Sequence, residues 1–253
     1  MIDLHTHLLP GVDDGSEQPE QSVAVLKRFE EQGVTAVCCT PHLKASEFAD
    51  APCDDMDQLL GELIAVAPPA PRLVRGFEIM LDVPAPIFHD RCLTLNRTRY
   101  ALVEFGRLVP ADASVEALSR IVEQGIIPVL AHPERYACCN LEMGQRWREA
   151  GALLQLDATT LLGDSKRAER ARDLLGAGYG TIIASDNHGD GRSLAAAVEW
   201  MQSHGAREQA RLLAYENPGA ILSDGPVMIV PPVRLRRSWY SMLKDFVIGG
   251  KEQ

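Results

Sequence analysis

The sequence predicts an α/β fold in which seven parallel strands alternate with helices. Three features support this prediction: short apolar runs, helical segments between them, and a His, Asp or Glu directly after nearly every run. Strand–helix alternation of this kind is typical of parallel β/α architecture. The length of 253 residues and the hydrophobic content of 46% suit one domain with a single large core.

The first run begins at the amino terminus and ends in His5-Thr6-His7. Alternate side chains of a strand point to the same face, so His5 and His7 can reach one metal ion together. A single His-x-His also occurs by chance or in a surface turn, so the prediction depends on the other strands.

The later runs repeat this arrangement. Only the run at 153–156 has no obvious ligand after it, because we interpret Asp157 as a loop or helix-capping residue. The other pairs of run and ligand are 34–40 with His42, 72–77 with Glu78, 100–103 with Glu104, 126–131 with His132, and 181–185 with Asp186 and His188.

Helical segments separate these runs. In closed β/α barrels the chemistry lies at the carboxyl ends of the strands, so the eight candidate ligands should converge. The alternative, core histidines and solvated carboxylates, would place all eight at strand ends by coincidence. The predicted helices are 19–32, 55–66, 114–124, 141–150, 165–175 and 194–204.

Charge and hydropathy exclude several classes of protein. The net charge of −10 disfavours nucleic acid as a ligand, because phosphate backbones require a basic surface. No run is apolar for long enough to cross a bilayer. The chain enters its first strand at once, which leaves no room for a signal peptide, and we therefore expect a cytoplasmic location.

The six cysteines form no visible disulfide framework or CxxC motif, so we expect reduced thiols that mostly pack in the interior. A cysteine phosphatase would need an arginine six positions after its nucleophile. None of the six cysteines has an arginine at that spacing, so the sequence excludes this class of phosphatase. The residues found there are Lys44, Ala45, Leu59, Thr98, Gly144 and Gln145.

The ligand types indicate the metal and its role. Histidine nitrogens combined with carboxylates suit Mn, Fe or Zn better than soft thiolate-binding metals. Five histidines, Asp186 and two glutamates exceed the needs of one tetrahedral ion, so at least two ions are expected, with Glu78 as a candidate bridge. Adjacent ions activate water and clamp phosphoryl oxygens, which favours hydrolysis.

Arg135 and Arg192 lie close in sequence to His132 and His188. A guanidinium offers forked donors that match phosphate oxygens. We predict that these arginines bind substrate, and the alternative for each is a surface salt bridge.

Together these motifs resemble the PHP (polymerase and histidinol phosphatase) superfamily, and more narrowly the bacterial capsule-associated tyrosine phosphatases of the CpsB/YwqE type. The resemblance runs from Met1 to about Ser223. The segments that carry it are Asp3-Leu4-His5-Thr6-His7, Leu9-Pro10-Gly11-Val12-Asp13-Asp14-Gly15, Thr40-Pro41-His42, Glu78, Glu104, Ala131-His132-Pro133-Glu134-Arg135-Tyr136, Ser185-Asp186-Asn187-His188 and Asn217-Pro218.

The resemblance implies a distorted seven-stranded PHP barrel with three metal ions, usually manganese. Asp14 would serve catalysis, either on a metal directly or on a metal-bound water, although an acidic turn before the first helix is the alternative for Asp13 and Asp14. Arg135 and Arg192 would hold phosphate. The implied metal ligands are His5, His7, His42, Glu78, Glu104, His132, Asp186 and His188.

Three functions follow from these patterns. The first is a metal-dependent phosphatase for phosphotyrosine on a bacterial tyrosine kinase that regulates capsular or exopolysaccharide synthesis and export. The second is a small-molecule phosphatase such as histidinol-phosphatase. The third is a regulatory scaffold with a vestigial site or a PHP nuclease; the intact ligands oppose the scaffold and the acidic charge opposes the nuclease. The sequence does not determine the oligomeric state.

The predicted phosphatase domain covers residues 1–225, and residues 226–253 form a basic, aromatic tail. Apolar residues recur there at helical spacing, which predicts a helix. Packing on the barrel is one interpretation, and docking to the kinase or to the inner membrane surface is the other. The residues concerned are Arg234, Leu235, Arg236, Arg237, Trp239, Met242, Leu243, Lys244 and Phe246.

Overall fold

The computed structural model describes residues 1–235, and in this part of the chain parallel strands alternate with helices as predicted. All strand pairs are parallel, and they form a three-stranded and a six-stranded sheet. The strands are β1 (Ile2–Thr6), β2 (Ala36–Cys39), β3 (His42–Lys44), β4 (Arg72–Arg75), β5 (Glu78–Met80), β6 (Tyr100–Glu104), β7 (Ile127–Ala131), β8 (Leu153–Asp157) and β9 (Gly180–Ala184).

Two of the predicted runs are divided, and this explains why the described residues hold nine strands instead of seven. The smaller sheet has the order β1-β2-β4 and the larger has β3-β5-β6-β7-β8-β9. Pro41 separates β2 from β3, because proline has no N–H for a ladder hydrogen bond. Gly76 precedes β5 where the chain passes Leu95 so closely that an added Cβ would lie 2.7 Å from its side chain.

His42 and Glu78 come after β2 and β4 as predicted, but neither lies in a loop. Each begins a strand after the break, and the two are register partners in the pair β3 and β5. Their neighbouring positions still bring both side chains to the same edge of the larger sheet.

The two sheets also meet at their outer strands. The His7 backbone N–H donates to the Asn187 carbonyl (2.8 Å), and the Asp186 N–H donates to the His5 carbonyl (3.0 Å). Thr6 and Asn187 form an isolated parallel bridge. The carboxyl ends of β1 and β9 consequently lie side by side.

The six predicted helices begin and end within a few residues of the predicted positions, and three further short helices, α5, α8 and α9, were not predicted. α3 begins at Ala111 instead of residue 114, because Pro110 occupies the position before it and the start of a helix needs no N–H there. No helix within residues 1–235 has both the length and the apolar character needed to span a bilayer. The helices are α1 (Pro19–Glu31), α2 (Cys53–Val66), α3 (Ala111–Val122), α4 (Leu141–Glu149), α5 (Ala158–Leu162), α6 (Lys166–Gly176), α7 (Leu194–Ser203), α8 (Arg207–Arg211) and α9 (Asn217–Leu222).

The apolar strands are buried on both faces, as parallel sheets require. One large cluster joins strand residues to the helices, for example Val103 and Ile79 with Leu118 and Trp147. A smaller cluster consists mainly of strand residues and is covered by Ile221 and Leu222 of α9. The strand residues of the smaller cluster include Leu4, Ala36, Cys38, Val74, Leu102, Val129 and Ile182.

The segment 226–235 is hydrogen-bonded to the folded domain. The Met228 N–H donates to Asn217 Oδ1 (2.8 Å), and the Val233 N–H donates to the carbonyl of Gly176, the last residue of α6. Leu235 packs against the core. Residues 226–235 are not helical, so the prediction of a helical tail is wrong for this part, and the tail from residue 236 onward lies outside the described residues.

The expectation that all cysteines are reduced is wrong for one pair. Cys53, the first residue of α2, forms a disulfide with Cys92 in the loop before β6. The two are separated by 39 residues, and spacing alone does not reveal which cysteines meet in space. Cys38, Cys39, Cys138 and Cys139 are free.

Candidate metal centre

The eight predicted ligands converge at one edge of the sheets, where β1 and β9 meet and where β3 and β5 begin. Their donor atoms fall into three overlapping groups, and Asp14 belongs to one of them. The groups are His5, His7, Glu78 and Asp186; His7, Asp14, His42 and His188; and His42, Glu78 and Glu104. His132 joins the cluster through Nε2, which lies 2.8 Å from Glu78 Oε1 and 3.8 Å from Glu104 Oε2.

The most buried group has the dimensions of a metal site. His5 Nε2 lies 3.1 Å from Glu78 Oε2, 3.2 Å from Asp186 Oδ1 and 3.2 Å from His7 Nε2. His7 Nε2 lies 3.3 Å from each of the same two carboxylate oxygens. Donors bound to one ion at about 2.1 Å lie roughly 3.0–3.4 Å from one another. The separations and the nitrogen and oxygen donors therefore fit a divalent transition metal ion.

The other two groups open toward solvent. Asp14 Oδ1 lies 3.5 Å from His42 Nε2 and 3.3 Å from His188 Nε2, and the Asp14 side chain is 70% exposed. His42 Nδ1 lies 3.2 Å from Glu78 Oε2 and 3.5 Å from Glu104 Oε1. Since Glu78 is common to two groups and has two oxygens, it is the carboxylate best placed to bridge ions. The Asp14 side forms the mouth of the site.

Two ligand candidates have a strained backbone. His132 has φ 32° and Asp186 has φ 51°, in the left-handed region that non-glycine residues rarely adopt. Such strain costs on the order of 1–3 kcal/mol and is concentrated at functional sites. It turns both side chains toward the cluster directly after their strands end.

Two residues that the sequence did not identify as functional hold the histidine rings. Asp13 Oδ2 accepts a hydrogen bond from His7 Nδ1 (2.6 Å) and another from the His42 backbone N–H (3.1 Å). Gln155 Oε1 accepts from His5 Nδ1 (3.1 Å) and from the His132 backbone N–H (3.2 Å). The hydrogen bonds to the two rings require a proton on Nδ1 of His7 and of His5, which directs Nε2 of each ring toward a metal.

Different signals were available for these two residues. Asp13 stands in an acidic turn, which is an ambiguous signal. Gln155 is a neutral residue inside an apolar run, and nothing in the sequence marks it as a ring-orienting residue.

Gly15 allows the turn carrying Asp13 and Asp14 to fold over β1. A Cβ at Gly15 would lie 2.1 Å from the His7 carbonyl oxygen, so only glycine fits there. The Gly15 N–H donates to Asp13 Oδ1 (3.0 Å), which secures the carboxylate against His7.

Both predicted arginines reach the cluster and contact Asp186. Arg135 Nη2 donates to Asp186 Oδ2 and to Asp157 Oδ2. Arg192 Nη1 donates to the Asp186 carbonyl, and its Nε lies 3.1 Å from Asp190 Oδ2. Asp157 also caps α5, as predicted, by accepting the Thr160 N–H at 2.6 Å.

Comparison with known proteins matches this sequence to one family. The sequence profile described as capsular polysaccharide synthesis, CpsB/CapC, covers residues 1–223. The chain belongs to the CpsB/CapC family. It is 31% identical over 198 residues to the tyrosine-protein phosphatase YwqE of Bacillus subtilis, covering 74% of this chain and 77% of YwqE. It is 28% identical over 241 residues to the tyrosine-protein phosphatase CpsB of Streptococcus pneumoniae, covering 88% and 99%.

One solved structure agrees with the family assignment, and a second shows the same fold. This CpsB/CapC chain matches a structure from work on YwqE of Bacillus subtilis and CpsB of Streptococcus pneumoniae. Those two proteins are described there as unique metal-dependent tyrosine phosphatases. The TM-score is 0.78 at 25% identity, and the match covers 94% of this chain and 100% of the other. A D-hydantoinase matches with a TM-score of 0.52 at 13% identity, covering 92% of this chain and 72% of the other, and shows a shared fold alone.

The pKa values of the buried ligand candidates in the CpsB/CapC site depend on contacts between histidines and carboxylates. Burial lowers the pKa of His5 and His7, but the neighbouring carboxylates outweigh burial and raise the two values to about 9 and about 12. Burial opposes ionisation of Glu78 and Asp186, yet contact with the histidines holds both carboxyl pKa values below their ordinary range. In the metal-free protein His5 and His7 are therefore protonated at neutral pH.

Metal loading should consequently release protons. We expect about two protons per protein at pH 7.5, because His5 and His7 must lose them to bind metal. Calorimetric titration with Mn²⁺ in two buffers of different ionisation enthalpy measures this number. His204→Gln, which changes a histidine stacked on Trp200, serves as the control and should release the same number. Release of no protons would contradict the assignment of these two ligands.

The free cysteines of this CpsB/CapC chain are not built for nucleophilic chemistry. Burial raises the pKa of the Cys39 thiol and the Cys139 thiol to about 12, and it also raises the pKa of Cys38 and Cys138. Thiols with such values are not thiolates at neutral pH.

Proposed function

We propose that this protein is a metal-dependent phosphatase that hydrolyses phosphotyrosine on a bacterial tyrosine kinase regulating capsular or exopolysaccharide synthesis and export. The observation that carries the proposal is the convergence of nine metal-type side chains with two arginines at one open edge of the sheets. Family membership and relatives named tyrosine-protein phosphatases support it.

We further propose that the two sheets act as one distorted barrel of seven strand runs, in which β2 with β3 and β4 with β5 are single runs broken at Pro41 and Gly76. The backbone contacts between β1 and the chain after β9 support closure. This arrangement would make the candidate site the carboxyl-end face of the barrel.

The proposed ligands are the eight predicted residues, with Asp14 as a direct ninth. Its distances of 3.3 and 3.5 Å to two histidine nitrogens support direct binding. Three groups support three ions, and manganese is proposed as the activating metal, with Fe or Zn as alternatives. When bound, adjacent ions lower the pKa of water and neutralise phosphoryl oxygens.

The remaining residues would bind and orient the substrate. Arg135 and Arg192 are 31% and 30% exposed and flank Asp186, so their guanidinium groups are available to phosphate oxygens at the mouth. Asp13 and Gln155 would keep the rings of His7 and His5 fixed during turnover.

A substrate comparison tests the proposal. We expect higher kcat/KM for phosphotyrosine peptides than for phosphoserine peptides or histidinol phosphate, measured with Mn²⁺ present. An aryl phosphate has the better leaving group, and an extended peptide reaches an open site easily. A clear preference for histidinol phosphate would instead support the small-molecule phosphatase, with fold and metal site unchanged.

The tail and the cellular location remain proposals from the sequence. Val233 contacts Gly176 at the end of α6, just before β9 begins, so the described chain ends on the side opposite the proposed ligands. Docking of the tail to the kinase or to the inner membrane surface would then leave the candidate site uncovered, and it is proposed on the basic and aromatic composition of residues 226–253. A cytoplasmic location is proposed, although disulfides such as Cys53–Cys92 are rare there.

A further inference from the structure

Asp157 is held more firmly than its capping role requires. It is the last residue of β8, its side chain is 1% exposed, and both carboxylate oxygens have partners. Oδ1 accepts the Thr160 N–H at 2.6 Å, and Oδ2 accepts Arg135 Nη2. The Asp157 backbone N–H in turn donates to Glu134 Oε1 at 2.9 Å, which fixes the end of the strand.

The contacts of Arg135 with the two carboxylates use only one nitrogen of the guanidinium. Nη2 donates to both Asp157 and Asp186, whereas Nη1 and Nε donate to no group within residues 1–235. The Arg135 side chain is 31% exposed. Nη1 and Nε therefore each keep N–H groups that can donate to an oxyanion.

The two carboxylates that hold Arg135 differ in their other partners. Asp186 also faces the histidines of the cluster at 3.2 and 3.3 Å and is a proposed metal ligand, so its charge is shared with cations there. Asp157 contacts no residue of the proposed ligand set by hydrogen bond or ion pair within the described chain. Its charge stays directed at Arg135.

We propose that Asp157 is the positioning residue that keeps Arg135 in place for the phosphate group of the substrate. This inference rests on the proposed phosphatase function and deepens it. Asp157 acts through Arg135 and touches no reacting atom.

Asp157→Asn separates this role from helix capping, because asparagine caps a helix as well as aspartate but lacks the charge. We expect the metal-loaded variant to bind inorganic phosphate at least about tenfold more weakly, and its KM for a phosphotyrosine peptide to rise by a similar factor. Metal content and the thermal midpoint should stay near wild type. Calorimetry, steady-state kinetics and elemental analysis measure these quantities.

A double-mutant cycle tests whether the effect passes through Arg135. In an Arg135→Ala background, Asp157→Asn should change phosphate affinity by less than twofold, because the group it positions is gone. Asp157→Ala, which removes both the cap and the charge, should lower the thermal midpoint more than Asp157→Asn.

Three results would overturn the inference. They are wild-type phosphate affinity in Asp157→Asn, an equal effect of Asp157→Asn in both backgrounds, and loss of bound metal in Asp157→Asn. If the wild-type protein hydrolyses no phosphotyrosine peptide, the proposed substrate fails separately, and phosphate affinity still tests Asp157.

Discussion

Chelation of the bound metal is expected to lower turnover of a phosphotyrosine peptide by at least about 10³-fold, which corresponds to roughly 4 kcal/mol of activation free energy. Added Mn²⁺ should restore turnover. The reason is the site itself: buried donors from His5, His7, Glu78 and Asp186 lie at metal-ligand spacing. Phosphate release before and after dialysis against EDTA measures the effect, with metal content determined in parallel.

Alkylation of thiols provides the control for this experiment. Iodoacetamide should change turnover by less than about twofold, because burial raises the pKa of all four free thiols and keeps them protonated. Full activity in verified metal-free protein, or complete inactivation by iodoacetamide with metal retained, would contradict the metal-dependent mechanism.

The second large effect is expected from single ligand substitutions. His7→Ala and His132→Ala should each reduce kcat/KM by about 10³-fold and lower the amount of bound metal. His7 belongs to two of the three donor groups, and His132 contacts Glu78, the proposed bridge. Kinetics and elemental analysis of the purified variants measure both losses.

Arg135→Ala provides a contrast, since it removes a positive charge beside the cluster without removing a proposed metal ligand. It should retain its metals and mainly weaken binding of substrate and transition state. His204→Ala, remote from the cluster and stacked on Trp200, should behave as wild type. Metal loss in Arg135→Ala, or normal kinetics in His7→Ala, would show that the roles are assigned wrongly.

Much of the fold was predictable because the signals are local. Apolar runs, helix-starting residues and the residues after each strand are read along the chain, and they predicted parallel α/β architecture and the six longer helices within a few residues. The strand breaks were not predicted. Pro41 was visible in the sequence, but the close approach of Gly76 to Leu95 joins segments that only folding brings together.

The sequence by itself determined which residues meet at the candidate site, because histidines and carboxylates recur after successive strands and parallel strands align their carboxyl ends. Only the tertiary structure decided which residues support them. The Cys53–Cys92 pair, the contact of Gln155 with His5 and the pairing of Asp157 with Arg135 all join positions that are distant along the chain. Such contacts depend on how strands and loops pack in space, and a neutral glutamine or a capping aspartate leaves no local pattern that reveals them.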